Sequence, residues 1–239
     1  MTERIYSTRQ YERQVDASIV DIDRDDRRVL LDRTVFYPGG GGQPHDVGTL
    51  QIGDDRLEVV RITADDRGVW HWLGDGASLP GAGQAVEAVV DWDRRYRLMR
   101  THTAMHALCG VVWNRFGSPV TGGNMEPGEG RLDFELPDWD PEDRDSLEAE
   151  LNAQLAAARP VEVSFLPREE ADEDPSLIRT KVSLLPPTLR EVRVVDIVGL
   201  DRQADGGTHV ADTTEVGRVK VVKVESKGKG FRRIRLQLA

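Results

Sequence analysis

Apolar residues in the first ninety positions come in short, β-rich bursts set about ten residues apart. The segments ASIVDID (17–23), RRVLLDRTVFY (27–37), VGTLQI (47–52), RLEVVRIT (56–63), GVWHWLG (68–74) and QAVEAVVDW (84–92) are separated by Gly, Asp and Pro clusters. This pattern predicts strands, and the even spacing predicts a small barrel or sandwich. No helical period is present there. Near Asp93 the period changes. In RRYRLMRTHTAMHALCGVVWNRFG (94–117) the residues Leu98, Met105, Leu108, Val112 and Phe116 follow a helical repeat, with Gly117 as the C-cap. A second helix is predicted from Asp140 as cap and Pro141 as first helical residue, with Leu147, Leu151 and Leu155 on its buried face. An acidic helix (168–177) and several strands complete the chain, the last two joined by a Lys-Gly-Lys-Gly turn. The expectation is an α+β protein in two domains, residues 1–93 as a β-barrel and residues 94–239 as a mixed α/β domain.

Composition narrows the class. Apolar residues make up 38% and charged residues 31% of 239, which suits a globular domain with a core. No window approaches eighteen apolar residues, and the polar start has no signal-peptide character. The single cysteine, Cys109, rules out an internal disulfide framework. A cytoplasmic protein is expected, with no membrane partner. A formal net charge of -10 argues against coating DNA by bulk charge. RNA stays open, because residues 217–239 hold eight Lys or Arg against one acid, Glu225.

Chemistry concentrates in two motifs. His102 and His106 are spaced i, i+4, which stacks two imidazoles on one helix face where they could grip one metal ion. Residue 103 is Thr, so this is not the metalloprotease signature with its helix carboxylate. A hundred residues on, DGGTH places Asp205 and His209 either side of two glycines and Thr208. The glycines let the chain bend both side chains toward one point. Two histidines on a helix with a carboxylate and a histidine on a loop make a tetrahedral zinc set. Cys109 reads as a small core residue.

The paired HTAMH and GGTHV motifs resemble the editing domain shared by alanyl-tRNA synthetases and the free-standing AlaX proteins. TVFYPGGGGQPHDVG (34–48), GRLDFEL (130–136), REVRVVDI (190–197) and GKGFRRIRLQL near the end resemble that family's segments in the same order. The resemblance covers the chain from about residue 15 onward. It implies a trans-acting hydrolase that deacylates tRNA(Ala) mischarged with serine, and also with glycine, using one zinc ion held by His102, His106, Asp205 and His209. It implies that Thr34, Gln43 and Thr208 serve activity and amino-acid discrimination. Gly40, Gly41 and Gly42 would shape the pocket, and Arg232 and Arg233 on the basic hairpin would meet tRNA. The family usually has cysteine where this chain has Asp205, so an oxygen-ligand subtype is expected. The other readings are a structural-zinc module that only binds RNA, an unrelated zinc hydrolase acting on a small ester or amide, and an editing domain for another tRNA, such as threonine tRNA.

Overall fold

The computed structural model describes residues 1–76, 78–179 and 190–239. The chain divides into two compact units. The first comprises Met1–Gly40 and Pro44–Tyr96, the second Gly41–Gln43 and Arg97–Ala239. The sequence placed a single boundary near residue 93, whereas the tripeptide Gly41–Gln43 groups with the second unit.

In the first unit, β1 (Glu3–Arg4) pairs parallel with β4 (Arg33–Thr34). A closed antiparallel barrel is formed by β2 (Gln14–Asp23), β3 (Arg28–Leu31), β5 (Gly48–Ile52), β6 (Asp55–Ala64), β7 (Val69–Leu73) and β8 (Ala85–Val90). Its order is β2-β3-β7-β6-β5-β8. Closure removes the free strand edges that would otherwise invite pairing with another chain. The strands alternate as period two demands: Leu57, Val59 and Ile62 of β6 point inward, and the one-residue slip in that repeat coincides with a register shift between Val59 and Arg61. Ile19, Val29, Leu31, Leu50, Val69 and Ala88 fill the interior with them.

One inward residue of the barrel is polar. His71 of β7 is fully buried, and its Nε2 lies 2.8 Å from the Thr34 hydroxyl. Burial pushes its pKa down to about 4, so the ring is neutral in the folded protein. A second buried group ties the ends of the glycine-rich segment. The Tyr37 N–H donates to Asp46 Oδ2 (2.6 Å), and the Asp46 N–H donates to the Tyr37 carbonyl (3.0 Å). The Arg95 guanidinium completes this pair, binding the Asp46 carboxylate and the Val35 carbonyl.

The second unit contains the body of α1 (Trp92–Phe116), which ends at Gly117 with φ 65°, the left-handed C-cap that glycine provides. Antiparallel strands β9 (Val120–Glu126), β10 (Glu129–Glu135), β14 (Val219–Ser226) and β15 (Phe231–Leu238) form a sheet in the order β14-β15-β10-β9. The helix lies on this sheet through Met105. A Cβ added at Gly130 would fall 2.7 Å from Met105 Sδ, and one at Gly123 would fall 3.8 Å from Met105 Cε. The two glycines thus open a groove for the residue next to His106. A second antiparallel sheet comprises β11 (Val161–Pro167), β12 (Glu191–Ile197) and β13 (Asp201–Ala204).

Helix α2 (Asp143–Ala156) buries Leu147, Leu151 and Leu155, the face expected from sequence. Its start differs. Asp140 does cap a turn, accepting from the Glu142 N–H at 2.9 Å, but the helix begins at Asp143. The acidic segment makes α3 (Arg168–Glu173) and then a 3-10 turn at Pro175–Leu177, because Pro175 cannot donate to a continuing α-helix. Strands β9 and β13 were not expected. β9 is glycine-rich and polar (VTGGNME), and β13 is only four residues long.

Candidate metal centre

Three imidazoles and one carboxylate meet in the second unit. His102 and His106 lie one turn apart on α1, and Asp205 and His209 lie on the loop that follows β13. One donor atom from each of the four lies within 4.8 Å of every other. The rings sit 4.3 to 4.9 Å apart between centroids. Asp205 Oδ2 is 3.1 Å from His209 Nε2, and Oδ1 is 3.6 Å from His102 Nε2. A tetrahedral ion with bonds of about 2.0–2.1 Å needs donors about 3.3–3.4 Å apart, so these edges fit one. This group could hold a metal ion.

The loop reaches the helix because Gly207 has no side chain. A Cβ there would strike the His102 ring and lie 2.6 Å from Gln43 Oε1. Asp205 shapes its own loop by accepting from the Gly207 N–H at 2.7 Å. Arg193 of β12 anchors it from behind, donating to the Asp205 carbonyl at 2.9 Å.

Burial disfavours charge on the imidazoles. It pulls His102 down to about 4, against partial opposition from the Asp205 carboxylate. It also takes His209 well below the usual histidine range, with help from the neighbouring His102. Burial works against charge on Asp205 as well, but His102, His209 and His106 outweigh it and hold the carboxyl well below its ordinary value. His106 is the exception: despite burial, the Asp201 and Asp205 carboxylates raise it. At neutral pH the site therefore offers an ionised carboxylate and two neutral imidazoles, the donor forms a cation requires.

Each imidazole also has an oxygen behind it, on the Nδ1 side. Gln43 Oε1 accepts from His102 Nδ1 (3.0 Å) and from the Thr208 N–H (2.9 Å), and Gln43 Nε2 donates to the Thr208 hydroxyl (2.9 Å). The backbone donor fixes which end of the amide is oxygen. The Thr103 hydroxyl lies 3.1 Å from His209 Nδ1 and accepts from the Val210 N–H at 3.2 Å. Asp201 Oδ2 lies 3.5 Å from His106 Nδ1. Thr103, Asp201 and Arg193 were not singled out in the sequence. Thr103 lies inside the HTAMH motif, and Asp201 four residues before Asp205.

The structure thus brings Gln43 and Thr208 to the four donor residues. Gly41 joins them: with φ 58°, a Cβ there would be 3.4 Å from Asp205 Oδ1. The Gly42 carbonyl accepts from the Met125 N–H at 3.2 Å. Thr34 and Gly40 belong to the first unit. The Thr34 hydroxyl is engaged by His71 and by the Phe36 N–H (3.0 Å), and the Gly40 carbonyl by the Tyr37 hydroxyl (3.1 Å). On the C-terminal hairpin, Arg233 makes a two-pronged pair with Asp133, at 2.7 Å for each bond. Arg235 and Lys223 both pair with Glu225. Arg232 donates to the Phe231 carbonyl.

Comparison with known proteins fits this geometry. Residues 192–235 match the second additional domain of threonyl and alanyl tRNA synthetases, and residues 2–94 match class II (A) tRNA synthetases. The chain is 36% identical to the alanyl-tRNA editing protein AlaX-M of Saccharolobus solfataricus, over 98% of both chains. It is 37% identical to AlaX-M of Methanosarcina barkeri with the same coverage. It is 35% identical to AlaX-L of Pyrococcus horikoshii, over 98% of this chain and 57% of that one. The chain belongs to the AlaX family of alanyl-tRNA editing proteins. Members of this family are deacylases, that is, hydrolases. Among the described residues, no helix is long and apolar enough to cross a membrane.

Proposed function

We propose that this protein is a cytoplasmic trans-editing enzyme that hydrolyses the ester of tRNA(Ala) mischarged with serine, and also with glycine. His102, His106, Asp205 and His209 would hold one zinc ion. The observation that carries the reading is the convergence of three buried imidazoles and one partly buried carboxylate in a chain of the AlaX family. When bound, zinc supplies Lewis-acid polarisation of the ester carbonyl or a more acidic water.

The chain's own residues do the rest. Water adds at the acyl carbon, the bond to the ribose oxygen breaks, and free amino acid and tRNA leave. Gln43 sets the His102 ring and the Thr208 loop in one geometry. The Thr208 hydroxyl accepts from Gln43, which leaves its hydrogen to donate to substrate. A buried hydroxyl offered to the serine side chain discriminates against alanine, since the analogue lacking the OH leaves a polar group unpaired. Arg232 and the lysines of the hairpin would meet phosphates.

The decisive assay is release of serine from Ser-tRNA(Ala), with Ala-tRNA(Ala) and Ser-tRNA(Ser) as controls, before and after a chelator. Selective, chelator-sensitive release is expected. Release that survives complete metal removal would sink the metal role. No release from a zinc-loaded protein would leave an RNA-binding module held together by its metal.

A further inference from the structure

We propose that Asp201 is a positioning residue for the metal centre: its carboxylate holds the His106 ring with the proton on Nδ1, so that Nε2 is the atom presented to the ion. This rests on the reading that the four donors bind zinc. His106 Nδ1 is buried and makes no hydrogen bond, and Asp201 Oδ2 stands 3.5 Å from it. A carboxylate oxygen can only accept, so it favours a ring that carries its proton on that side.

Asp201 is itself held by donors. Gln203 Nε2 reaches Oδ2 at 2.5 Å, and Arg179 Nε reaches Oδ1 at 3.3 Å. These two donors fix the orientation of the carboxylate, with Oδ2 facing the ring. The residue is 3% exposed, so no solvent competes for the contact.

The helix makes room for this approach. A Cβ at Gly110, one turn beyond His106, would meet the Leu200 carbonyl at 2.8 Å and Asp201 Cβ at 3.0 Å. A mid-helix glycine is disfavoured relative to alanine, and here it admits the start of β13 against α1. The three rings are therefore backed by three different oxygens. His102 has an amide oxygen, held in place by the Thr208 N–H, and His209 a hydroxyl, which can serve either tautomer. His106 alone has an anion, which also strengthens it as a ligand.

Two measurements test this. In the wild-type protein loaded with zinc, long-range proton–nitrogen NMR should show His106 protonated at Nδ1 with the metal on Nε2. In Asp201→Asn, the amide can turn a donor toward Nδ1 and favour the opposite tautomer, so zinc affinity by chelator competition should fall about 10- to 100-fold. The proposal is overturned if the variant binds zinc as tightly as wild type, or if the loaded wild type carries its metal on Nδ1. The second result decides the matter even where the variant fails to fold. A wild-type chain that binds no zinc at all would overturn the metal reading along with it.

Discussion

Gln43 and Thr208 are joined by two reciprocal hydrogen bonds, backbone N–H to amide oxygen and amide nitrogen to hydroxyl, each 2.9 Å long. The same amide oxygen accepts a hydrogen bond from His102 Nδ1. An apolar isostere at this position strands two buried donors. Each stranded donor costs about 1–3 kcal/mol. Gln43→Met is therefore expected to lower the thermal midpoint and to weaken zinc binding by at least tenfold. Gln43→Glu keeps the accepting oxygen and should hold zinc more tightly than Gln43→Met. Isothermal titration of the three proteins against zinc orders them, and equal affinities would remove Gln43 from the support of His102.

The two glycines of DGGTH are expected to behave differently. A methyl group at Gly207 has no room between the His102 ring and the Gln43 amide, while nothing lies within 4 Å of a Cβ at Gly206. Overpacking of this kind costs about 1–3 kcal/mol and displaces what it touches. Gly207→Ala should lose zinc affinity and deacylation together, by tenfold or more, and Gly206→Ala should keep both. If the two variants behave alike, the close packing of loop against helix is not what holds the donors in place.

How much of this was legible in the chain follows from the physics of each signal. The barrel strands were readable because closure imposes an alternating face on every strand, and α1 because one long helix repeats its face many times. The four donors were readable because helix spacing and paired glycines are local signals. Asp201 and Thr103 were not, since their partners lie about a hundred residues away and a lone acid or threonine has no pattern of its own. β13 escaped for the same reason: four residues carry too few alternations to show a period. The tripeptide Gly41–Gln43 looked like a turn between strands, because only tertiary contact reveals Gln43 as a support for His102.

His71 predicts a pH dependence for the barrel unit. Its folded pKa of about 4 lies below the unfolded value of 6.5, so the unfolded chain takes up the proton first as the pH falls. The stability of keeping it neutral is fully present above pH 6.5. It is lost between pH 6.5 and about 4, and the loss amounts to about 3 kcal/mol. His71→Gln has no group to titrate there. Urea unfolding followed by tryptophan fluorescence, at pH 7 and pH 4.5, should show wild type losing about 2 kcal/mol more than the variant. Parallel losses would mean that the ring is reached by water or proton in the folded state.

The basic hairpin divides into residues that are committed and residues that are available. Arg233 is held by the Asp133 carboxylate, whose pKa is lowered mainly by that pair. Charge reversal at Arg233 would set two carboxylates side by side and should destabilise the sheet as well as weaken RNA binding. Lys227 and Lys229 are exposed at the turn, and the Arg232 side chain beside them bonds a backbone carbonyl, its one partner among the described residues. Each phosphate contact contributes about 0.9 to the slope of log affinity against log salt on a duplex. Removing Lys227, Lys229 and Arg232 together should therefore weaken binding to tRNA(Ala) acceptor stems and flatten that slope by about two to three, without lowering the thermal midpoint. An unchanged slope would place the tRNA on another face of the molecule, and the hairpin's charge would then serve only to balance an acidic chain.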